Sequence, residues 1–306
     1  MKLATVRAEG RTALADFTEA GIVDLSGVLT DVAPLTSVDA LCAVLAAEPH
    51  GLSRLAAAAA GLAPRWAAPE VELLAPLRRP GKIICVGLNY RDHCREVAIP
   101  EPTQPVIFAK YSSAIVGPGA LVDLHAATTA ELDWEVELAA VVGQHSGPGR
   151  PATPADLLGY TIGNDVSARD LQRTDGQWVR AKSLDTFLPL GPVVVTTDEI
   201  ADPSCLRLGL RVNGEAQQDS STAELIFDVP YLLAWLSASI SLEPGDLLLT
   251  GTPHGTGAFQ QPPRFLRDGD VMEAWIERIG SLRNPVGTSA STPLPGDRGD
   301  VAAGRT

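Results

Sequence analysis

One short stretch, TTAELDWEVELAAVVG at residues 128–143, strongly limits what this chain can fold into. Acidic and apolar residues alternate along it, with the acids at Glu131, Asp133, Glu135 and Glu137. Successive side chains of a strand point to opposite faces, so the pattern predicts a strand with all four carboxylates on one face. Like charges aligned in this way repel each other unless water or a cation lies between them. The face is therefore either a solvated surface that prevents aggregation or a site for a hard divalent cation.

Length and composition predict a globular protein with an acidic surface. The chain has 306 residues, 45% of them hydrophobic, with a net charge of −13. This charge disfavours nucleic acid and anionic membranes as partners. No apolar run is long enough to span a bilayer, and the N-terminal MKLATVRAEG lacks the apolar core of a secretory signal. Four scattered cysteines without a CxxC pair argue against a zinc knuckle or a disulfide framework, so we expect a cytoplasmic protein.

Turn signals and hydrophobic periodicity divide the chain into three parts. Residues 1–75 predict a small α+β lobe, in which short strands precede two helices and Ser37 caps the first helix. Residues 76–288 are dominated by strands, and their clearest helix, DVPYLLAWLSASI, starts with Asp228 as its cap. Residues 289–306 are polar and rich in glycine and proline, which is typical of a disordered tail.

Several polar residues outside the acidic stretch suit a catalytic site. Asp165 follows the strand-like YTIGN, where it is either a third cation ligand or a helix cap. His93 and Glu96 are three residues apart, and on a helix they form either a surface contact or an imidazole oriented by a carboxylate. TGTPHGTG, which contains Thr252, predicts a glycine-rich turn that either presents N–H groups to an anion or is only a turn. Lys182 lies where its charge could face a substrate carboxylate.

Together and in this order, these segments resemble the fumarylacetoacetate hydrolase family. The resemblance extends from about Lys82 to Val286, and the segments that carry it include GKIICVGLNYRDHCRE, PVIFAK, LDWEVELAAVVG, GYTIGNDVSARDLQ, DGQWVRAKSLDTFLPLGP and LEPGDLLLTGTP. It implies an α+β fold with a mixed β-barrel-like catalytic domain beside the small N-terminal α+β lobe. It also implies a homodimer.

The resemblance assigns a metal site to the acidic stretch. It implies a divalent cation, Mg²⁺ or Mn²⁺, bound by Glu135, Glu137 and Asp165. Glu131 and Asp133 are then neighbours of the site and not ligands. Carboxylate sites accept either cation, so the residues do not choose between the two.

The resemblance also implies the residues that act on the substrate. The implied catalytic residues are His93, Glu96 and Lys182, with the His93–Glu96 dyad on a segment that orders over the substrate. The implied substrate-binding residues are Arg169, Gln172 and Thr252. The chain departs from the usual pattern at Gln144, Leu184 and His254, and the last two could reshape the pocket.

These assignments predict an enzyme acting on a small 2-oxo acid. A cation held by three carboxylates keeps positions free for the substrate's carboxylate and keto oxygens and stabilises an enolate as a Lewis acid. His93, oriented by Glu96, would activate water to cleave a carbon–carbon bond of a 2,4-dioxo acid, which makes the chain an acylpyruvase-type hydrolase.

Two alternatives remain. The same enolate supports decarboxylation or isomerisation of oxo or dienoic diacids from aromatic breakdown, with Arg169, Arg173 and Arg180 as candidates for binding a distal carboxylate. The alternative outside the enzymes is a non-catalytic protein that binds an oxo acid.

Overall fold

The structure is a computed structural model that describes residues 1–48 and 50–288. In chain order, the strands are β1 (Lys2–Ala8), β2 (Arg11–Thr18), β3 (Gly21–Asp24), β4 (Glu72–Leu73), β5 (Ile83–Gly87), β6 (Val106–Ala109), β7 (Ile115–Val116), β8 (Val122–Asp123), β9 (Leu132–Asp133), β10 (Val136–Val142), β11 (Leu157–Asn164), β12 (Ser167–Ala168), β13 (Leu188–Thr196), β14 (Arg207–Val212), β15 (Glu215–Ser221), β16 (Leu247–Leu249), β17 (Val271–Ile276) and β18 (Gly280–Gly287). The helices are α1 (Val38–Ala47), α2 (Gly51–Ala59), α3 (Arg91–Glu96), α4 (Arg169–Asp175), α5 (Trp178–Ala181) and α6 (Val229–Ser237).

The strands form two large mixed sheets and one small antiparallel pair. The main sheet has eleven strands and the order β3-β2-β1-β13-β11-β10-β16-β5-β6, with β4 paired to β1 and β7 paired to β13. A five-stranded sheet has the order β15-β14-β17-β18-β8, and β9 pairs with β12. In the described part of the chain, the end strands β3 and β6 do not pair with each other, so the expected barrel-like closure is not confirmed. The fold is mixed α+β with open sheets.

The N-terminal strands belong to the same sheet as the central strands. β1 pairs with β13, where Leu3 lies opposite Val194. The predicted lobe thus shares its sheet with strands beyond residue 76, and the division of the chain at that point stays a prediction. The predicted disordered tail, 289–306, lies outside the described residues.

Two predicted helix caps are present. The Ser37 hydroxyl accepts a hydrogen bond from Ala40 N at 3.1 Å at the start of α1, and the Asp228 carboxylate accepts one from Tyr231 N at 2.8 Å at the start of α6. Each cap satisfies an N–H group that the helix itself leaves unpaired. Leu232, Leu233 and Leu236, which the periodicity places on one side of α6, are buried, and Ile240, beyond the end of the helix, is half-buried.

The centre of the main sheet holds the part of the chain that positions the site. Every residue of β10 and β11 is buried. The two strands are antiparallel, and Val136 at the start of β10 lies opposite Asn164 at the end of β11. This register brings the residues flanking those two positions, Glu135 and Asp165, side by side, and Asp165 N donates to Glu135 O at 2.8 Å.

In the two described ranges, no helix combines the length and hydropathy that a membrane-spanning segment requires.

Candidate active site and metal centre

The three predicted cation ligands lie together and are buried. One carboxylate oxygen from each of Glu135, Glu137 and Asp165 lies within 4.8 Å of the others. The interpretation of the acidic stretch as a solvated face is therefore wrong for Glu135 and Glu137. The interpretation of Asp165 as a helix cap is also wrong, because α4 begins at Arg169 and Ala168 occupies the cap position.

The first two acids of the stretch have partners in α4 and are separate from this cluster. The stretch is not one continuous strand, since the pairing breaks between β9 and β10 at Trp134 and Glu135. Both carboxylate oxygens of Glu131 accept from Arg173 Nη2 at 2.7 Å. Asp133 accepts from Arg169 Nε at 2.8 Å and from Gly257 N at 2.7 Å. Protein groups thus satisfy both of these acids.

Two buried lysines contact the acidic cluster. Lys182 Nζ donates to Glu135 Oε2 and to Asp165 Oδ2, each at 2.7 Å. Lys110 Nζ donates to Asp165 Oδ1 at 2.7 Å and to the carbonyl oxygen of Lys182. Sequence reasoning did not include Lys110 among the site residues. A signal was available, because the chain has only four lysines and this one ends the strand-like PVIFAK.

The pKa values of Glu135 and Glu137 are shifted in opposite directions. Burial opposes ionisation of Glu135, but the charges of Lys182 and Arg169 outweigh it and lower the pKa of Glu135 to about 2. Burial, together with the neighbouring Asp165 and Glu135, raises the pKa of Glu137 well above its ordinary value. Glu137 accepts a hydrogen bond from Gly251 N at 2.8 Å, and no lysine or arginine of residues 1–48 and 50–288 forms an ion pair with it.

This donor set fits a divalent cation. Hard cations such as Mg²⁺ take oxygen ligands, and the cluster offers three carboxylates in one buried place. The mutual repulsion that raises the pKa of Glu137 is the repulsion that a bound cation removes. The residues present are therefore compatible with the cation that the sequence predicts.

The predicted dyad is formed on α3. His93 Nδ1 lies 2.8 Å from Glu96 Oε2, and the His93 side chain is buried. The second carboxylate oxygen of Glu96 accepts from Gly255 N at 2.8 Å. The carboxylate is thus fixed from both sides, which orients the imidazole.

One cavity of about 420 Å³ unites most of the predicted residues. The predicted site residues that line it are His93, Glu135, Glu137, Arg169, Gln172, Lys182 and Thr252. Glu96 and Asp165 do not line it but contact His93 and Lys182, which do. Its apolar walls include Val97, Ile99, Phe108, Trp178 and Phe259. A larger cavity of about 670 Å³, between the N-terminal strands and β13 and β18, contains none of the predicted residues.

The predicted substrate-binding side chains are tied to the cluster or to each other. Arg169 contacts Glu135 Oε1 through Nη2 at 2.7 Å and donates from Nη1 to Gln172 Oε1 at 3.0 Å. The Thr252 hydroxyl donates to Val136 O at 3.0 Å and accepts from Gln218 Nε2 at 2.9 Å. These contacts hold the polar side of the cavity in one arrangement.

Of the other residues that the sequence singled out, only Arg173 lines this cavity. Arg180 pairs with Asp175 at the surface. Neither Leu184 nor His254, the two departures expected to affect the pocket, is among the residues lining it. His254 is exposed and lies 3.0 Å from Asp92 on α3.

Known proteins resemble this chain in sequence and in structure. A family model described as Fumarylacetoacetate (FAA) hydrolase C-terminal matches residues 82–287. The protein named oxaloacetate tautomerase FAHD2A, mitochondrial, from Bos taurus is 48% identical over 221 residues, which are 71% of this chain and 70% of that protein. The solved fumarylacetoacetate hydrolase from Exiguobacterium antarcticum has a TM-score of 0.81 at 37% identity, covering 94% of this chain and 100% of that chain. The solved 2-hydroxyhepta-2,4-diene-1,7-dioate isomerase from Mycobacterium marinum has a TM-score of 0.69 at 34% identity, covering 95% and 100%.

The family match includes the dyad, the acidic cluster, both buried lysines and the turn that contains Thr252, and the structural likeness extends to the N-terminal strands. The relatives are named for isomerising and for hydrolytic reactions. The chain belongs to the fumarylacetoacetate hydrolase family of enzymes.

Proposed function

We propose that this protein interconverts the keto and enol forms of a small 2-oxo diacid of the oxaloacetate class. The observation that carries the proposal is that one cavity is lined by Glu135 and Glu137 of the acidic cluster, by Lys182 and by His93 of the dyad. Enolisation needs a base near C3 of the substrate and positive charge near its oxygens. The name of the bovine relative supports oxaloacetate as the first substrate to test.

Glu135, Glu137 and Asp165 would hold Mg²⁺ or Mn²⁺ in the working enzyme. The cation supplies Lewis-acid stabilisation of the negative charge that enolisation places on the substrate. Lys182 adds a second positive charge beside the same carboxylates. The chain itself thus contributes a fixed ammonium and three fixed acceptors before any substrate enters.

His93 is the proposed proton carrier. Its Nδ1 is engaged by Glu96, which leaves Nε2 to exchange a proton with the substrate. In the forward direction, the C3–H bond breaks, its electron pair forms the C2–C3 double bond, and the keto oxygen receives the charge and then the proton. The apolar walls formed by Phe108, Trp178 and Phe259 limit water at this place.

The substrate would be oriented by the polar side of the cavity. Arg169 and Gln172 from α4 and Thr252 from the glycine-rich turn line it together. We propose that they bind the substrate's carboxylates. Arg173, which also lines the cavity, is the candidate for the distal carboxylate of a diacid.

Hydrolysis of a 2,4-dioxo acid is the second candidate, and the dyad is the observation that favours it. A base oriented in this way can also take a proton from water. The hydroxide would add to the C4 carbonyl, the C3–C4 bond would break, and its electron pair would remain on C3 as pyruvate enolate. The hydrolase name of the Exiguobacterium relative supports this reaction.

The experiment is a substrate screen on purified protein with Mg²⁺, with Mn²⁺ and with a chelator. The decay of enol-oxaloacetate absorbance is followed alongside pyruvate release from acetylpyruvate and CO₂ release from oxaloacetate. Metal-dependent acceleration of enol decay without CO₂ or pyruvate supports the tautomerase. Pyruvate from acetylpyruvate supports the hydrolase, and CO₂ supports a decarboxylase. Bound metal without turnover of any of these substrates contradicts both candidates and favours the binding protein.

Two further proposals follow, one from the family resemblance and one from the sequence. We propose that the protein is a homodimer, which size-exclusion chromatography with light scattering tests directly. A cytoplasmic location is proposed from the sequence, and fractionation of the source cells tests it.

A further inference from the structure

The helix that carries the dyad needs support from the rest of the chain. α3 has only six residues, and its cap residue, Tyr90, makes no side-chain cap hydrogen bond. Helices of this length are not stable alone, because too few hydrogen bonds offset the cost of nucleation. The position of His93 over the cavity therefore depends on contacts that α3 makes with other elements.

Asp92 makes one of the side-chain contacts that hold the start of α3, beside the hydrogen bond from Arg91 to Leu225 O. Its carboxylate accepts from Ser220 Oγ at 2.5 Å and lies 3.0 Å from His254 Nδ1. Although His254 is exposed, the Asp92 side chain is only 10% exposed, so the carboxylate side of this contact is shielded from water. At the other end of α3, Gly255 N donates to Glu96. Two successive residues of the TGTPHGTG turn thus hold both ends of the dyad helix.

We propose that Asp92 and His254 form a clasp that positions the dyad over the cavity, and that protonation of His254 tightens this clasp. The inference rests on the proposed function to the extent that the dyad is taken to move the substrate's proton. His254 and Asp92 are positioning residues here and do not touch the reacting atoms.

The charges around His254 give the clasp its dependence on pH. The groups on α3 that face it are Asp92, Glu96 and Arg95, and the hydrogen bond with Asp92 is the main reason that the pKa of His254 is raised. β15 contributes the uncharged Ser220. The two acids of β15, Glu215 and Asp219, are paired with Arg264 and Arg207.

A hydrogen bond between two charged groups is stronger than one with a neutral donor. The folded clasp is therefore tightest when His254 is protonated, and it loosens as the pH rises through the raised pKa of His254. We therefore expect the dyad to be positioned less firmly at alkaline pH than at acidic pH.

The first test does not use activity. Hydrogen–deuterium exchange of a peptide covering residues 91–97 is compared between the wild type, His254→Ala and His254→Asn at equal pH. Asparagine keeps a hydrogen-bond donor near the position of Nδ1 but never carries a charge. The matched control is His145→Ala, which removes another exposed histidine that lies 2.9 Å from a carboxylate, Glu243.

For His254→Ala we expect exchange in residues 91–97 to accelerate about tenfold at pH 6, since a charge-assisted hydrogen bond is lost. His254→Asn should lie between that variant and the wild type and show a smaller pH dependence of protection. His145→Ala should match the wild type. Unchanged protection in His254→Ala overturns the clasp, whatever the activity.

The second test is the pH profile of turnover on whichever substrate the screen identifies. A misplaced dyad lowers kcat, and we expect a loss of about tenfold for His254→Ala with KM changed less. The alkaline decline of kcat caused by the clasp should be absent in His254→Asn. An identical alkaline decline in the wild type and His254→Asn overturns the pH dependence.

Two controls separate the possible failures. The extra stabilisation that Mg²⁺ or Mn²⁺ gives to His254→Ala should equal that of the wild type, because the variant leaves the acidic cluster untouched. If no substrate is turned over by the wild type, the proposed function fails, while the exchange experiment still decides whether the clasp exists.

Discussion

At the scale of single residues, the four alternating acids have three different roles. Glu131 and Asp133 pair with Arg173 and Arg169, which are four residues apart and therefore share one face of α4. Glu135 is shared between Arg169 and Lys182. In the described residues, no lysine or arginine forms an ion pair with Glu137. It is therefore the carboxylate that most needs a cation from outside the chain.

Replacement of Glu137 tests the ligand assignment. Glu137→Ala should abolish the rise in melting temperature caused by Mg²⁺ or Mn²⁺ and should remove activity. Loss of a group that only supports a ligand costs up to about 100-fold in metal affinity, so loss of a ligand should cost at least as much. Isothermal titration calorimetry measures the affinity.

Glu131→Ala is the matched control, since Glu131 belongs to the same acidic stretch but pairs with Arg173. Its metal affinity and activity should stay near those of the wild type. Full activity in Glu137→Ala would contradict the metal centre described here.

Replacement of His93 separates proton transfer from metal binding. His93→Ala should lower kcat by about 100-fold or more, the usual contribution of a general base. Its metal affinity should be unchanged, because His93 is not among the clustered carboxylates. Glu96→Gln should cause a smaller loss, since the hydrogen bond to the imidazole can remain. Turnover at the wild-type rate in His93→Ala would assign the proton transfer to another group.

At the scale of elements, the sequence predicted best where local signals decide the structure. Ser37 and Asp228 marked the starts of α1 and α6, because a capping side chain acts on N–H groups two or three residues away. The strand β15 was missed, because EAQQDSS contains no apolar run and forms its hydrogen bonds with β14. β-structure depends on such partners more than on its own residues.

The site was predictable in part for the same reason. Its acids, dyad and Lys182 stood in recognisable segments, but Lys110 gained its meaning only from Asp165, 55 residues away. The break in the acidic strand at Glu135 was also unforeseen, because it follows from the partners that its neighbours find in α4.

The contact between β11 and β13 gives a stability prediction. A Cβ atom on Gly159 would lie 2.1 Å from Val195 O, so Gly159→Ala must push these strands apart. Overpacking of this kind costs about 1–3 kcal/mol, and chemical denaturation should show a loss in that range. Gly27→Ala is the control, since nothing lies within 4 Å of its Cβ position, and it should be nearly neutral. Equal stability of the two variants would contradict this strand packing.

At the scale of the whole molecule, acid should destabilise the fold in a defined pH range. Burial opposes ionisation of Asp24, but hydrogen bonds from Ser26 and Arg11 outweigh it and lower its pKa below the ordinary 3.8. Because the unfolded chain then takes up a proton before the folded one, this contribution to stability is complete above pH 3.8 and falls as the pH drops through the lowered value.

Urea unfolding at pH 7, 5 and 3 measures this effect. The free energy of unfolding should decline below pH 3.8, and Asp24→Asn should be less stable at neutral pH but decline less steeply. Comparing the two proteins cancels the contribution of Glu137, whose raised pKa acts in the opposite direction. Parallel pH curves for the two proteins would exclude Asp24 as a source of the acid sensitivity.

The parallel pairing of β5 with β16 has a consequence for biosynthesis. Cys85 lies opposite Leu249, and Lys82 N is held by Asp246, 164 residues further along the chain. On the ribosome, the dyad segment emerges early, yet the strand β16 and the turn that follows it are made about 150 residues later. A nascent chain shorter than about 250 residues would expose the edges of β5 and β10, and strands left unpaired in this way are prone to aggregate. Because β16 is made so late, we expect translation speed and chaperone access to affect how much active protein a cell obtains.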